Sequence, residues 1–221
     1  MDNAKRAVTG TCRPYGGEAP LDERQRDKFM RACPDRLRPR LRAELDGLDR
    51  LLTGYDDFQK LCLIYNMVTT GVTYDLRAGH RGTCDLLISR RGVCDDISEA
   101  MVMLAGHCCH DSAVYRIVGW QKGDAYGHGW NVVEVTTPTG RGVWFLDATS
   151  DLGGHWSCFL RGAKAFGELG VKWNGSRFPQ INEEDCGFRP YRNPLKEKEL
   201  AAWFAGAAER IVPPRDRRHR S

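Results

Sequence analysis

Three separated motifs carry the residue types that thiol catalysis requires. They are RGVCDD at residues 91–96, GHGWN at 127–131 and WFLDAT at 144–149. A thiol becomes a strong nucleophile when it loses its proton, and a neighbouring imidazole can take that proton. A carboxylate on the other ring nitrogen orients the imidazole and stabilises its charged form. The motifs therefore predict Cys94 as the nucleophile, His128 as its base and Asp147 as the group that orients the histidine.

Cys94 precedes a helical pattern. Apolar residues recur at steps of three and four, at Ile97, Ala100, Met101 and Leu104, so we expect a helix that begins at or just after Cys94 and ends at Gly106 or in the polar run after it. The unpaired N–H groups at a helix start lower the pKa of a thiol and can bind an oxyanion. We expect Asp96 to cap this helix or to point away, and Gly92 to help a substrate backbone approach the thiol.

Three segments have the composition of strands, at residues 115–120, 130–135 and 142–146. Pro138-Thr139-Gly140 predicts a hairpin turn between the last two. In an antiparallel hairpin the start of one strand faces the end of the next, so His128 and Asp147 are predicted to lie side by side. The helix that bears Cys94 must then pack on this sheet.

The remaining segments indicate one domain with helices on both sides of this core. Apolar spacing predicts helices within 35–52, at 55–68 with Asp56 or Asp57 as the cap, and at 195–211. We expect an extended segment at 71–75 and a polar loop at 76–91, whereas residues 155–194 have no clean period. Residues 1–20 are predicted to be a flexible arm, 21–212 a single domain and 213–221 a basic tail.

Composition narrows the classes of protein. The 221 residues are 41% hydrophobic and 28% charged, which is typical of a soluble globular chain. No apolar run approaches the ~18 residues that a membrane helix needs, so we expect no membrane partner. The number of cysteines, nine, is odd, and their spacing is not that of a disulfide scaffold. Because no signal sequence is evident either, we expect a cytoplasmic location. The arginines lack interleaved aromatic residues, so nucleic acid is not an expected partner.

The order of the three motifs resembles the transglutaminase-like superfamily. The matching pieces are Gly-Val-Cys at 92–94, His-x-Trp-Asn at 128–131 and Trp-x-x-Asp-x-Thr at 144–149, together with Val-Thr-Tyr-Asp at 72–75. The similarity covers about residues 55–152 and implies an α+β, papain-like core in which a cysteine-bearing helix packs on an antiparallel sheet, with helical N- and C-terminal extensions. Two departures are Asp95-Asp96, where many bacterial members have Gly-Tyr, and Gly129, where alanine is common.

This resemblance implies acyl transfer on an amide through a thioester, without a cofactor. The substrate would be a peptide, a protein or a small amide. Water as acceptor gives a protease, amidase or deamidase, and an amine acceptor gives a transglutaminase or an amide-forming acyltransferase. We favour hydrolysis slightly, because the β-sandwich extensions of the large cross-linking enzymes are not evident.

Three further residues are predicted near the nucleophile. Tyr74 is a candidate oxyanion donor beside the Cys94 amide. Trp130 is expected to line the core or the substrate groove. Arg91 is expected either to favour the thiolate or hold an acidic substrate group, or to lie in a solvated loop.

Two other readings remain open. The first is a non-catalytic interaction domain that keeps the same fold. The second is a metal site, because His107-Cys108-Cys109-His110 groups four possible ligands, with Cys84 and Cys94 nearby in sequence. Adjacent residues cannot all reach one tetrahedral ion and the paired C-x-x-C spacing is missing, so we expect no metal and an exposed turn at 107–110.

Overall fold

The computed structural model describes residues 21–121, 127–174, 178 and 180–212. In this part of the chain the elements are α1 (Leu21–Ala32), α2 (Arg38–Leu51), α3 (Asp57–Gly71), β1 (Thr73–Tyr74), α4 (Thr83–Ser89), β2 (Arg91–Gly92), α5 (Cys94–Cys108), β3 (Ala113–Gln121), β4 (His128–Thr137), β5 (Gly140–Leu146), β6 (Phe159–Arg161), α6 (Ala163–Glu168), β7 (Val171–Trp173) and α7 (Pro194–Ile211). The fold is mixed α+β, as predicted. The arm predicted at 1–20 and the basic tail predicted at 213–221 lie outside the described residues.

A five-stranded antiparallel sheet organises the fold, in the order β6-β5-β4-β3-β7. All three predicted strands are present, and β4 and β5 form the predicted hairpin, with Thr137 paired to Gly140. Alternate residues of β4 enter two separate cores: Val132 packs on one face of the sheet and Val133 on the other. The central strand is therefore buried on both sides.

Helix α5 fills the core on one face of this sheet. Its predicted apolar stripe is buried, and Val133 and Val135 of β4 belong to the same hydrophobic cluster. Almost every residue from Asp96 to Gly106 is buried, because α1, α2, α3 and α4 pack around the helix as the sheet covers its remaining side. Such an enclosed helix has little freedom to move, which fixes the direction of its first turn.

The predicted outer helices are confirmed. The leucines that predicted α2 are buried at 0–3% exposure from Leu37 to Leu52. Asp56 caps α3: its carboxylate accepts the Gln59 N–H at 2.8 Å, and the Gln59 side chain accepts the Asp56 N–H at 3.2 Å. Helix α7 begins at Pro194 with Asn193 as its cap. No helix in the described ranges is long and apolar enough to cross a membrane.

One prediction near the cysteine helix was wrong. Residues 76–91 are not entirely a polar loop, because α4 forms there and buries Leu86 and Leu87. Helix α5 ends at Cys108, within the polar run after Gly106, as predicted. A side chain at Gly106 would meet Arg26, whose guanidinium donates to the Gly106 carbonyl, so the glycine makes room for α1.

The turn predicted at 107–110 is only partly exposed. Cys108 and Cys109 are buried, whereas His107 lies 3.0 Å from Asp46 and His110 lies 3.3 Å from Asp49. The four side chains thus diverge. In the part of the chain that the structure describes, no group of three or more His, Cys, Asp or Glu could hold a metal ion.

The segment without a clean period contributes β6, α6 and β7. The two strands have only three residues each, too few for an alternating pattern to be visible in sequence. Helix α1 was also not predicted. Its Gln25 side chain accepts the Arg116 N–H at 2.6 Å and donates to the Arg116 carbonyl at 2.9 Å, which covers the edge of β3 that β7 leaves unpaired.

A buried carboxylate anchors the chain just after β5. Asp151 is fully buried and accepts the Ser157 N–H at 2.7 Å, the Cys158 N–H at 2.8 Å and the Tyr65 hydroxyl at 2.6 Å. The same hydroxyl also lies 3.1 Å from the Asp147 carbonyl. Burial, followed by the Asp151 charge, raises the pKa of Tyr65 well above its ordinary value. Tyr65 thus ties α3 to the segment that carries Asp147.

Tyr65→Phe should lower the free energy of unfolding by about 1–3 kcal/mol, because it removes one donor from a buried carboxylate. Urea denaturation measures this loss. Tyr55→Phe is the matched control, since the half-buried Tyr55 hydroxyl bonds only a side chain, Asn193, at 3.1 Å. Equal stability of the two variants would contradict the anchoring role of Asp151.

Candidate active site

Cys94 is the first residue of α5, as predicted. The residue before it, Val93, is extended, and its N–H donates to the Asp96 carboxylate at 2.9 Å. Asp96 therefore caps the helix, which confirms one of the two orientations expected for it. The Cys94 side chain is half-buried, so the sulfur lies at the positive end of a buried helix and still faces the surface.

The other Asp96 oxygen accepts two more backbone donors, the Arg81 N–H at 2.8 Å and the Gly82 N–H at 2.6 Å. These bonds give Gly92 a different role from the one that the sequence predicted. Gly92 is buried, and a Cβ there would come within 2.7 Å of Leu86 and 2.8 Å of Asp96. Gly92 thus makes room for the cap and for α4, and it does not face a substrate.

His128 and Asp147 are brought together by the register of β4 and β5. Asn131 pairs with Leu146, so the start of β4 lies beside the residue that follows β5. His128 Nε2 lies 2.7 Å from Asp147 Oδ2. The second Asp147 oxygen accepts the N–H groups of Thr149 at 3.1 Å and Ser150 at 3.2 Å. The backbone therefore holds the Asp147 carboxylate in place, and the carboxylate in turn orients the imidazole.

The ionisation of Cys94 and His128 is coupled. Burial is the largest influence on Cys94 and raises the pKa of its thiol, but hydrogen bonds from His128 and the Gly129 N–H, together with the His128 charge, lower it below its ordinary value. Burial lowers the pKa of His128, yet its bonds to Asp147 and then Cys94 raise it to about 10. Because Asp147 occupies Nε2, Nδ1 is the ring nitrogen left for the sulfur. This environment stabilises a thiolate–imidazolium pair.

The other cysteines differ from Cys94. Eight of the nine lie in described residues, none of these eight forms a disulfide, and Cys12 lies outside them. Burial raises the pKa of Cys62 and of Cys158 to about 12. A hydrogen bond with Cys84 lowers the pKa of Cys33, but that thiol is only 3% exposed. Lowered pKa and access to solvent therefore coincide at Cys94.

Tyr74 lies beside Cys94, as predicted. Its side chain is 41% exposed. Burial and the adjacent Cys94 sulfur raise the pKa of its phenol, whereas the Cys94 N–H, which donates to the phenol oxygen, lowers it by less. The hydroxyl and the Cys94 amide are thus next to each other at the nucleophile.

Trp130 and Arg91 do not line the nucleophile. Trp130 is only 1% exposed and stacks on the imidazole of His128, with ring centroids 5.6 Å apart and an interplanar angle of 25°. It packs against the imidazole from the buried side, so of the two positions expected for it, the core and the substrate groove, the structure shows the core. Arg91 is on the surface, where its Nε lies 2.9 Å from Asp75 Oδ2, so its cation is directed to a carboxylate instead of to the thiol.

An ion pair that the motifs did not predict lies next to Cys94. The Arg116 guanidinium of β3 contacts the Asp95 carboxylate and donates through Nε to Ser98 Oγ at 3.2 Å. Gly129 allows this packing, because a Cβ there would come within 2.8 Å of Asp95 and 3.1 Å of Ser98. The sequence held one sign of this ion pair, a single arginine among the β-forming residues of 113–118. The ion pair therefore requires a glycine at position 129.

Asn131 completes the contacts between the helix and the sheet. Its amide donates to the Ser98 carbonyl at 2.9 Å and to the Tyr115 carbonyl at 3.2 Å, which ties the first turn of α5 to β3 and β4. Two surface cavities, of about 410 and 470 Å³, lie elsewhere, and neither is lined by a residue of the Cys94 site.

Comparison with known proteins adds no relative. No protein-family model matches the chain, and no curated protein matches its sequence. The functional interpretation therefore depends on the geometry of the site and on the three short motifs.

The Asp95–Arg116 pair should tune the Cys94 thiol. The Asp95 charge raises the pKa of Cys94, so Asp95→Asn should lower that pKa, and Arg116→Gln should raise it by leaving the carboxylate unpaired. The pH dependence of iodoacetamide alkylation at Cys94, followed by peptide mass spectrometry, measures both shifts.

Arg141→Gln is the matched control, because Arg141 pairs with Glu134 at 2.9 Å in the distant half of the β4–β5 hairpin. Identical pH profiles for Arg116→Gln and Arg141→Gln would show that the pair does not influence the thiol.

Proposed function

We propose that this protein is a cysteine enzyme with a transglutaminase-like, papain-like fold that transfers the acyl group of an amide through a thioester. Cys94 is the nucleophile, His128 the base and acid, and Asp147 the orienting carboxylate. The observation that carries the proposal is the His128–Asp147 contact of 2.7 Å beside the one described thiol that combines a lowered pKa with partial exposure.

The fold supports this proposal at a coarser level. A cysteine at the first position of a buried helix packs against an antiparallel sheet that carries a histidine at the start of one strand and an aspartate just after the next. This arrangement agrees with the order of the three motifs.

Each step uses groups that are adjacent in the site. His128 Nδ1 already holds the thiol proton in the charged pair, and the Cys94 sulfur attacks the amide carbonyl to form a carbon–sulfur bond. We propose that the oxyanion takes the Cys94 N–H, which donates to the Tyr74 oxygen before substrate binds, and accepts the Tyr74 hydroxyl beside it. The carbon–nitrogen bond then breaks as His128 gives its proton to the leaving amine. Water or an amine, deprotonated by His128, then attacks the thioester and releases the sulfur.

We favour water as the acceptor. Cys94 is half-buried, and the His128 side chain retains 18% of its exposure while Tyr74 retains 41%. A site that is open to solvent does not protect a thioester from hydrolysis, whereas efficient transfer to an amine requires water to be excluded. The substrate is a peptide, a protein or a small amide, and the enzyme is a protease, amidase or deamidase on this reading.

Iodoacetamide at neutral pH should alkylate Cys94 faster than the other cysteines. His128→Ala should slow this reaction about tenfold or more, because an ordinary thiol is only a few per cent ionised at neutral pH. Peptide mass spectrometry over time gives the rate at each cysteine.

His107→Ala is the matched control, since His107 lies at the opposite end of α5 and pairs with Asp46. Equal alkylation of Cys94 and the half-buried Cys186, unaffected by His128→Ala, would favour a non-catalytic interaction domain.

The fate of the acyl group distinguishes hydrolase from transferase. With the p-nitrophenyl ester of an N-acetyl amino acid as acyl donor and a millimolar fluorescent primary amine, we expect mainly the free acid, because water reaches the thioester. Chromatography measures the ratio of acid to amide, and Cys94→Ala should form neither above the uncatalysed rate. A product that is mainly the amide would instead identify an amine-accepting acyltransferase.

A further inference from the structure

Two apolar side chains on β3 are exposed beside the nucleophile. Val118 is 45% exposed and Trp120 is 62% exposed, whereas Val114 and Ile117 of the same strand are buried. We call Val118 and Trp120 the β3 wall. Large exposed apolar side chains that lie together often mark a binding surface.

The β3 wall lies on the face of the sheet that carries α5. Side chains alternate along a strand, so Val118 and Trp120 share a face with Arg116. Arg116 contacts Asp95 and Ser98 in the first turn of α5. Because α5 begins at Cys94, the two residues further along β3 extend beyond the helix and are left uncovered by it.

Strand register places the wall close to the sulfur. Val118 is paired with Gly129, and the Gly129 N–H donates to the Cys94 sulfur. Directly opposed positions of an antiparallel pair have their side chains on the same face, about 4.5–5.5 Å apart. A Cβ on Gly127 would lie 3.7 Å from Val118 Cγ1, so the glycines on both sides of His128 add no side chain between the wall and the nucleophile.

The carboxylate beside Cys94 is compensated. Strand register also pairs Lys172 of β7 with Trp120, so a cation lies at the outer end of the wall. Asp95 follows Cys94 in the sequence, and Arg116 of β3 forms an ion pair with its carboxylate. A cationic substrate group would have to compete with that guanidinium, and an anionic group would lie near the Asp95 charge. A neutral apolar side chain avoids both costs and gains area against the indole of Trp120.

We propose that the β3 wall is a specificity subsite, which binds an apolar or aromatic side chain of the acyl donor next to the carbonyl that Cys94 attacks. This inference rests on the proposed function and narrows it to amides of hydrophobic residues. The backbone of the donor would cross Gly127 and Gly129 with its side chain against Val118 and Trp120.

The test uses p-nitrophenyl esters of N-acetylated phenylalanine, leucine, glycine and aspartate. The Cys94 sulfur forms the thioester as p-nitrophenolate leaves, and water then releases the N-acetyl amino acid. After subtraction of uncatalysed hydrolysis, kcat/KM for the phenylalanine and leucine esters should exceed that for the aspartate ester by about tenfold or more. Trp120→Ser and Val118→Ser should each reduce this ratio severalfold, and Trp120→Phe should preserve most of it.

Leu195→Ser is the matched control, because Leu195 is an exposed apolar residue, at 83%, on α7. Each rate is normalised to the iodoacetamide alkylation rate of Cys94 in the same variant, so that a change in the thiolate is not counted as a change in selectivity. A ratio that falls in the two serine variants and not in Leu195→Ser supports the subsite.

Two other results overturn it in distinguishable ways. If wild type turns over all four esters at similar normalised rates, or if the serine variants keep the wild-type ratio, the subsite is wrong while the proposed thiol chemistry stands. If no ester acylates Cys94 although iodoacetamide alkylates it rapidly, the proposed function itself fails, and the subsite with it.

Discussion

The position of the Cys94 sulfur depends on the buried carboxylate of Asp96. This side chain is only 1% exposed and accepts three backbone N–H groups, those of Val93, Arg81 and Gly82. A buried carboxylate is tolerated only when such partners compensate its lost hydration. The same bonds that satisfy Asp96 fix both the start of α5 and the loop before α4. The nucleophile is therefore held at a rigid helix end, where the sheet can bring His128 to it.

Two neighbouring acids thus have separate roles at a site that must stabilise a thiolate. The Asp96 charge is dispersed over backbone donors, and the Asp95 charge is met by Arg116 from β3. Without these partners, two negative charges would follow the sulfur directly in the chain and oppose its ionisation. Gly129 links the arrangements, because the absence of its side chain admits the Asp95–Arg116 pair while its N–H donates to the sulfur. The local sequence around Cys94 is consequently constrained by contacts from the helix and from the sheet.

Sequence patterns predicted the elements whose own residues carry a strong period. Helices α2, α3 and α7 follow from apolar spacing and strands β3 to β5 from their composition, and the β4–β5 hairpin then gives the His128–Asp147 contact. Strands β6 and β7 are too short to show an alternating pattern. Helix α4 has only two buried leucines, Leu86 and Leu87, between charged residues, which is too few to show a helical period. The Arg116–Asp95 pair and the Tyr65–Asp151 anchor join residues 21 and 86 positions apart, and no local rule predicts such contacts. The sequence left the position of Trp130 open, because an aromatic residue beside a histidine can face either the groove or the core, and only the burial in the structure distinguishes these.

The coupled ionisation of the site determines what His128 would do in the proposed reaction. Its pKa is raised from 6.5 to about 10, whereas that of Cys94 is lowered, so between the two pKa values the charged pair is favoured over the neutral pair before any substrate binds. Because folding raises the pKa of His128, its protonated form stabilises the folded protein. This contribution to the free energy of unfolding is fully present below about pH 6.5 and is lost as the pH rises through about 10. Because the sulfur is already ionised in this range, its deprotonation adds little to the barrier, and the imidazolium is ready to protonate the departing amine. The buried Asp147 and the stacked Trp130 hold the ring in place for that second transfer, which is the step that separates cleavage of an amide from simple alkylation of a reactive thiol.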